Sequence, residues 1–180
     1  MMKFELTKED VSQIELIRNR VEDNSIQLDI IVNQIISPYL NDLDKYVMFI
    51  RDCLKDGEKP PTTSELEDFC MNLSSLIYFA SGICENLGVR DDISKAIYKE
   101  TYNEIRSNLD KGTIADKDSI AELQSREEQI ISICYTRSYK IMKAKVDAAQ
   151  EMLSSCKKCL SHRMQEEQLV HINMSNNNDY

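Results

Sequence analysis

The stretch from Arg126 to Met164 runs for nearly forty residues without a proline or a glycine. A helix rises ~1.5 Å per residue, so this stretch as one helix reaches about 60 Å, longer than a small core can enclose on all sides. Its apolar positions Ile131, Tyr135, Tyr139, Met142, Val146, Ala149, Leu153, Cys156, Leu160 and Met164 recur at steps of three and four and share one stripe. A stripe of that length needs a partner along it. Read as a self-association seam, it has Ile131, Met142, Val146, Ala149, Leu153 and Leu160 at its centre.

The rest of this helix is basic, with eight cations against four anions between Arg126 and Arg163, in a chain whose net charge is −9. The charge is segregated, because the residues before Arg126 are strongly acidic. A sequence pI of 4.8 argues against coating nucleic acid by bulk charge. A local site remains open, since charges are screened over about 8 Å at physiological salt.

Four glycines, three prolines and no tryptophan, with 29% charged residues, describe a helix-rich chain. Strand signals are nearly absent. No run of ~18 apolar residues exists and MMKFELTKED has no apolar signal core, so neither a membrane span nor a secretion signal is expected and a cytoplasmic location is the expectation. The six cysteines sit inside helical patterns, where buried reduced thiols behave as small hydrophobes.

In chain order, Thr7 caps a first helix, which the polar cluster Glu22–Ser25 interrupts and Pro38 kinks or ends at Ser37. Tyr39 to Leu54 forms a further helix that Gly57 stops. The spacer KDGEKPPTT separates this N-terminal arm, residues 1–56, from a C-terminal unit, with the linker proper at 57–63. Ser64 and Glu67 form a capping box for the most buried helix, which Gly88 ends or bends before Asp91 or Asp92 restarts it. Lys111-Gly112-Thr113 is a tight turn, with Gly112 in the left-handed position and Thr113 as the next cap, aided by Asp116. The long helix then begins near Ile114. Residues 64–170 form a helical unit ending in an antiparallel hairpin, and residues 171–180 a disordered tail. The fold class is all-α: a long, coiled-coil-like antiparallel helical hairpin with an N-terminal helical arm.

Catalysis needs convergent groups, and the chain offers only His162 and His171, neither preceded by glutamate at i−3 as helical di-iron bundles require. Cys156, Cys159 and His162 resemble half a zinc site, but on one helix they drift by ~60° per step and lack a fourth ligand. No phosphate-cradling glycine loop or nucleophile elbow occurs. No enzyme, metal or cofactor is expected.

On a helical wheel, Arg137, Lys140, Lys158 and His162 lie opposite the seam, with Lys143 about 60° to one side. This stripe reads as a phosphate-binding face with tyrosines available for base stacking. It also reads as a solvated face, neutralised by acidic residues of the arm, with the tyrosines in the core.

The run from Tyr98 to Leu169 resembles the small helical proteins of tailed-phage recombination modules that are likened to UvsY-type recombination mediators. The resemblance is carried by Tyr98-Lys99, Tyr102, Lys111-Gly112-Thr113, Ala115, Lys117, Ala121, Tyr135, Tyr139, Lys143, Lys145, Ala148, Lys157, Leu160 and Ser161. It implies a non-catalytic homo-oligomer that binds single-stranded DNA and helps a recombinase displace the single-strand-binding protein. It also implies phosphate contacts at Lys111, Lys117, Arg137, Lys140, Lys143, Lys145, Lys157 and Lys158, with stacking at Tyr135 or Tyr139. The acidic arm departs from that pattern. The alternative is a coiled-coil scaffold or virion-associated interaction protein that never touches nucleic acid.

Overall fold

The computed structural model describes residues 8–57 and 59–177, with side chains described for 12–57 and 59–170. Four helices follow in order: α1 (Lys8–Lys55), α2 (Thr63–Asn108), α3 (Ile114–Gln124) and α4 (Arg126–Asn177). Among the described residues there is no strand, and the fold is all-α. The expected cap at Thr7 lies outside the described residues.

The helix starts follow local chemistry. The Glu65 N–H donates to the Thr62 hydroxyl at 3.3 Å while the Thr62 N–H donates to the Glu65 carboxylate at 2.8 Å, a reciprocal capping box. This box sits two residues before the expected Ser64 and Glu67, so α2 starts as soon as Pro61 has passed. At the second turn the expectation holds: Gly112 has φ +118°, and Thr113 and Asp116 form the same reciprocal pair at 3.2 and 3.0 Å.

Elsewhere the chain is more continuous than its punctuation. At the polar cluster in α1, the Asn24 amide and the Ser25 hydroxyl donate to the Arg20 and Glu22 carbonyls, each at 2.8 Å, and the helix runs on. Pro38 also lies inside α1. It removes one donor, but Gln34, whose carbonyl loses that bond, is exposed and water can reach it. α2 passes through Gly88 without a boundary. The return arm, in contrast, is divided at Ser125. There the hydroxyl donates to the Ala121 carbonyl at 2.7 Å, while the Ser125 and Gln129 amides keep their i−4 acceptors at 3.0 and 3.1 Å. The result is a one-residue break at Ser125 between α3 and α4. The tail expected to be disordered is helical to Asn177; residues 178–180 lie outside the described residues.

Three long helices form an up-down-up bundle. The Thr63 hydroxyl donates to Glu167 and the Thr136 hydroxyl to Asp91, so α2 and α4 are antiparallel and share the largest interface. Lys145 of α4 pairs with Asp44, and Lys158 lines a cleft with Leu54, which sets α1 parallel to α4. One core joins Val32, Ile36, Leu40, Leu43 and Ile50 of α1 to Leu66, Leu73, Ala80 and Leu87 of α2 and Cys134, Met142, Val146, Ala149 and Cys156 of α4. The N-terminal arm is therefore a third bundle helix from Val32 onward. Before Leu28 its described side chains are exposed. The short α3 lies on the end of α2, held by the Arg106–Asp118 ion pair at 2.5 Å and by the buried Ala121.

This packing corrects the self-association seam. Met142 and Ala149 are 0% exposed and Val146 is 5% exposed, while Leu153 and Leu160 are half-buried against the same core. The partner those positions need is the chain's own α1 and α2. Of the six central residues only Ile131 remains open, at 52% exposure.

Candidate nucleic-acid interface

Once its apolar stripe is packed inward, α4 turns its opposite side to solvent, where Arg137, Lys140 and Lys158 fall, while Lys143 and Lys157 lie on the flank toward Cys84 and Cys70 of α2. Arg137, Lys140, Lys143, Lys157 and Lys158 are all exposed. Arg137 and Lys140 line a cleft of about 490 Å³ between α4 and α1, whose other wall carries Ser25, Leu28 and Asp29. Some eighteen residues further on, about 27 Å along the helix, Lys158 lines a second cleft of about 370 Å³ with His162, Arg163, Pro60 and Pro61. Asp147 and Glu151 lie between them on the outer side. The basic surface is thus two clusters separated by an acidic interval.

The other expected phosphate contacts are placed differently. The Lys117 ammonium donates to the Leu109 carbonyl, capping the end of α2, and is occupied structurally. Lys145 donates to both Asp44 oxygens at 2.9 Å, tying α4 to α1. Lys111 is exposed but sits at the tip of the α2–α3 turn, away from the outer side of α4. Neutralisation by the acidic arm is therefore real at Lys145, and no ion pair holds Arg137, Lys140, Lys143, Lys157 or Lys158 among the described residues.

The tyrosines are core components more than stacking platforms. Tyr139 is half-buried and covers Gly88, where an added Cβ would lie 3.2 Å from its ring. Tyr135 is half-buried beside Ile93 and Ile97. Tyr102 donates its hydroxyl to Asp118 at 3.2 Å. Desolvation first, then that carboxylate, raises its pKa.

The cysteine and histidine set splits. Cys156 is fully buried, and burial, with Cys70 and Cys159 nearby, pushes its thiol up to about 11, whereas Cys159 and His162 are exposed. His162 Nδ1 lies 3.5 Å from Glu166. A protonated, buried thiol makes a poor metal ligand. Among the described residues no group of three or more histidine, cysteine or acidic side chains is placed to hold a metal ion.

Sequence reasoning misses the cleft at the linker. Arg163 reads as one more cation and His162 as half of a metal site, but nothing in the spacing brings Pro60 and Pro61 against them. That juxtaposition depends on α2 and α4 being antiparallel along their whole lengths. No helix among the described residues is long and apolar enough to cross a membrane. Comparison with known proteins gives no relative: no family model, no curated protein and no solved structure matches the chain.

Proposed function

We propose that the chain is a non-catalytic accessory protein of recombination that binds single-stranded DNA along the outer side of α4 and assists recombinase loading, in the cytoplasm of a phage's host. One observation carries this reading: five cations, Arg137, Lys140, Lys143, Lys157 and Lys158, stand exposed on one uninterrupted helix in a chain of net charge −9. Cations left without an ion pair along one helix stay available for an anion. The two clusters, about 27 Å apart, fit a flexible strand better than a compact ligand. A single strand adjusts its path past Asp147 and Glu151, and proteins that bind strands without sequence readout contact about 4–16 nucleotides per module. The resemblance of residues 98–169 to recombination mediators of tailed phages points the same way. With Tyr135 and Tyr139 engaged in packing, affinity rests on phosphate contacts and so falls with salt.

The test is fluorescence anisotropy of labelled oligo(dT) and of its duplex, at low and near-physiological salt. Binding to the single strand is expected to weaken with a log–log slope of about −0.7 per phosphate contacted. Reversing charge at Lys140, Lys143 and Lys158 together is expected to lower affinity more than tenfold while helicity by circular dichroism stays unchanged. Equal affinity for the triple variant removes this reading.

A helical scaffold that never meets nucleic acid is the second reading, and the exposed apolar stripe of α1 favours it. No binding to oligo(dT) even at low salt would leave that reading in place.

A further inference from the structure

The spacer between α1 and α2 builds an apolar wall beside the distal cations of α4. Pro60 and Pro61 have fixed φ and no N–H, so they form a stiff step that donates no hydrogen bond to its surroundings. The capping box at Thr62 then turns the chain into α2. Leu66, in the first turns of α2, and Leu54, the last apolar residue of α1, line the same cleft of about 370 Å³ as the two prolines.

The part of the cleft that α4 supplies is basic. Lys158, His162 and Arg163 line it, and no carboxylate does. Glu166, one turn beyond His162, lies 3.5 Å from His162 Nδ1 and 4.0 Å from Arg163, and so offsets those two in part. No ion pair holds Lys158 among the described residues. The cleft thus sets an uncharged wall within reach of a free ammonium, in a volume at the lower end of the roughly 300–1,000 Å³ usual for small-ligand sites.

Those two halves specify the occupant. A bare phosphate would leave the proline and leucine wall uncovered, and an aliphatic chain would leave Lys158 without a counter-charge. A flat, weakly polar body with an anion at its edge answers both, and a nucleotide has that form. Resting on the reading of α4 as a single-strand interface, we propose that the linker cleft takes one base of the strand against Pro60, Pro61 and Leu54, with the adjoining phosphate on Lys158. The strand then continues along α4 toward Arg137 and Lys140. Phosphate contacts alone treat single strand and duplex much alike. The cleft separates them, because a paired base must leave its stack before it can enter and an unpaired base need not.

The test compares labelled oligo(dT) with an abasic deoxyribose-phosphate oligomer of equal length, which keeps every phosphate and carries no base, by fluorescence anisotropy of the full chain at one salt concentration. Oligo(dT) is expected to bind on the order of tenfold tighter. Cys159 is exposed on the α4 side of the cleft, so its replacement leaves the core intact. Cys159→Leu, which fills the cleft, is expected to weaken oligo(dT) alone and remove most of that difference, whereas Cys159→Ser is expected to retain it. Photo-crosslinking of a strand that carries 5-iododeoxyuridine is expected to label residues within 54–66 or 158–163. Equal affinity of the wild-type chain for the two oligomers, or crosslinks confined to other segments, overturns the base site and leaves the phosphate contacts of α4 standing. Absence of binding to either oligomer at low salt overturns the proposed function and the base site with it.

Discussion

Asp91 takes a carboxylate into the α2–α4 interface, where its side chain is almost fully covered. Burial works to raise its pKa, but hydrogen bonds from Lys95 at 2.7 Å and Thr136 at 2.5 Å, with the nearby Lys140 charge, outweigh it and leave the pKa lowered. A group whose folded pKa lies below its unfolded value of about 3.9 stabilises the fold above that pH. The contribution is lost as pH falls through the folded value. Asp91→Asn is therefore expected to destabilise by about 1–2 kcal/mol at pH 7, or roughly 3–6 °C in Tm for a chain of this length. The amide oxygen of asparagine still accepts from Thr136, so the loss is that of the carboxylate's charge toward Lys95, Lys140 and the Thr136 bond, with the share of the half-exposed Lys95 screened by solvent. Thermal melts of both proteins at pH 7 and pH 3 decide it: the gap should narrow at the lower pH, and an equal gap at both would exclude the linkage. Nothing in the residue pattern marks Asp91 for this role. Aspartate before Ile93 reads as a helix start, and only Thr136, forty-five residues away, makes it a structural anchor.

Two glycines show what an element-scale reading of the chain captures and what it misses. Both Gly82 and Gly88 lie inside α2, where each weakens the helix by roughly 0.5–1 kcal/mol relative to alanine. A Cβ at Gly82 meets nothing within 4 Å, whereas at Gly88 it lies 3.2 Å from the Tyr139 ring. Gly82→Ala is therefore expected to stabilise by about 0.5–1 kcal/mol. Gly88→Ala is expected to gain less than Gly82→Ala or to lose stability, since Tyr139 must give way. Urea denaturation of the two variants reads the difference, and an equal gain at both sites would mean that the ring contact exerts no constraint. The Gly112-Thr113 turn is legible because left-handed backbone and a reciprocal cap are set within four residues. Gly88 is not: its reason to be glycine is a ring from α4. Pro38 misleads for a similar reason. Ile36, Leu40 and Leu43 bury the opposite side of α1 and keep the helix continuous through a missing hydrogen bond whose carbonyl side faces water.

At the scale of the molecule, the helical class and the apolar stripe of α4 come from three- and four-residue periodicity, but what covers that stripe does not. Periodicity states that a surface is buried and is silent on whether the cover comes from the same chain or another. Met142 and Val146 therefore read as a seam between copies, and α1 and α2 fill that place. The same ambiguity applies in reverse to Ile14, Ile17 and Val21, which repeat as well as Met142 and Val146 do and are left open. The uneven cover gives a testable gradient of local stability. Amide exchange in a helix requires opening, which is inexpensive where no side chain is packed and approaches the global unfolding energy where all are. Amides over Leu66–Ser94 and Cys134–Cys156, where the three long helices overlap, are expected to exchange slowest, and those over 12–27 of α1 orders of magnitude faster in dilute solution. Protection that is already high over 12–27 at nanomolar concentration would mean that the overhang is held by its own chain.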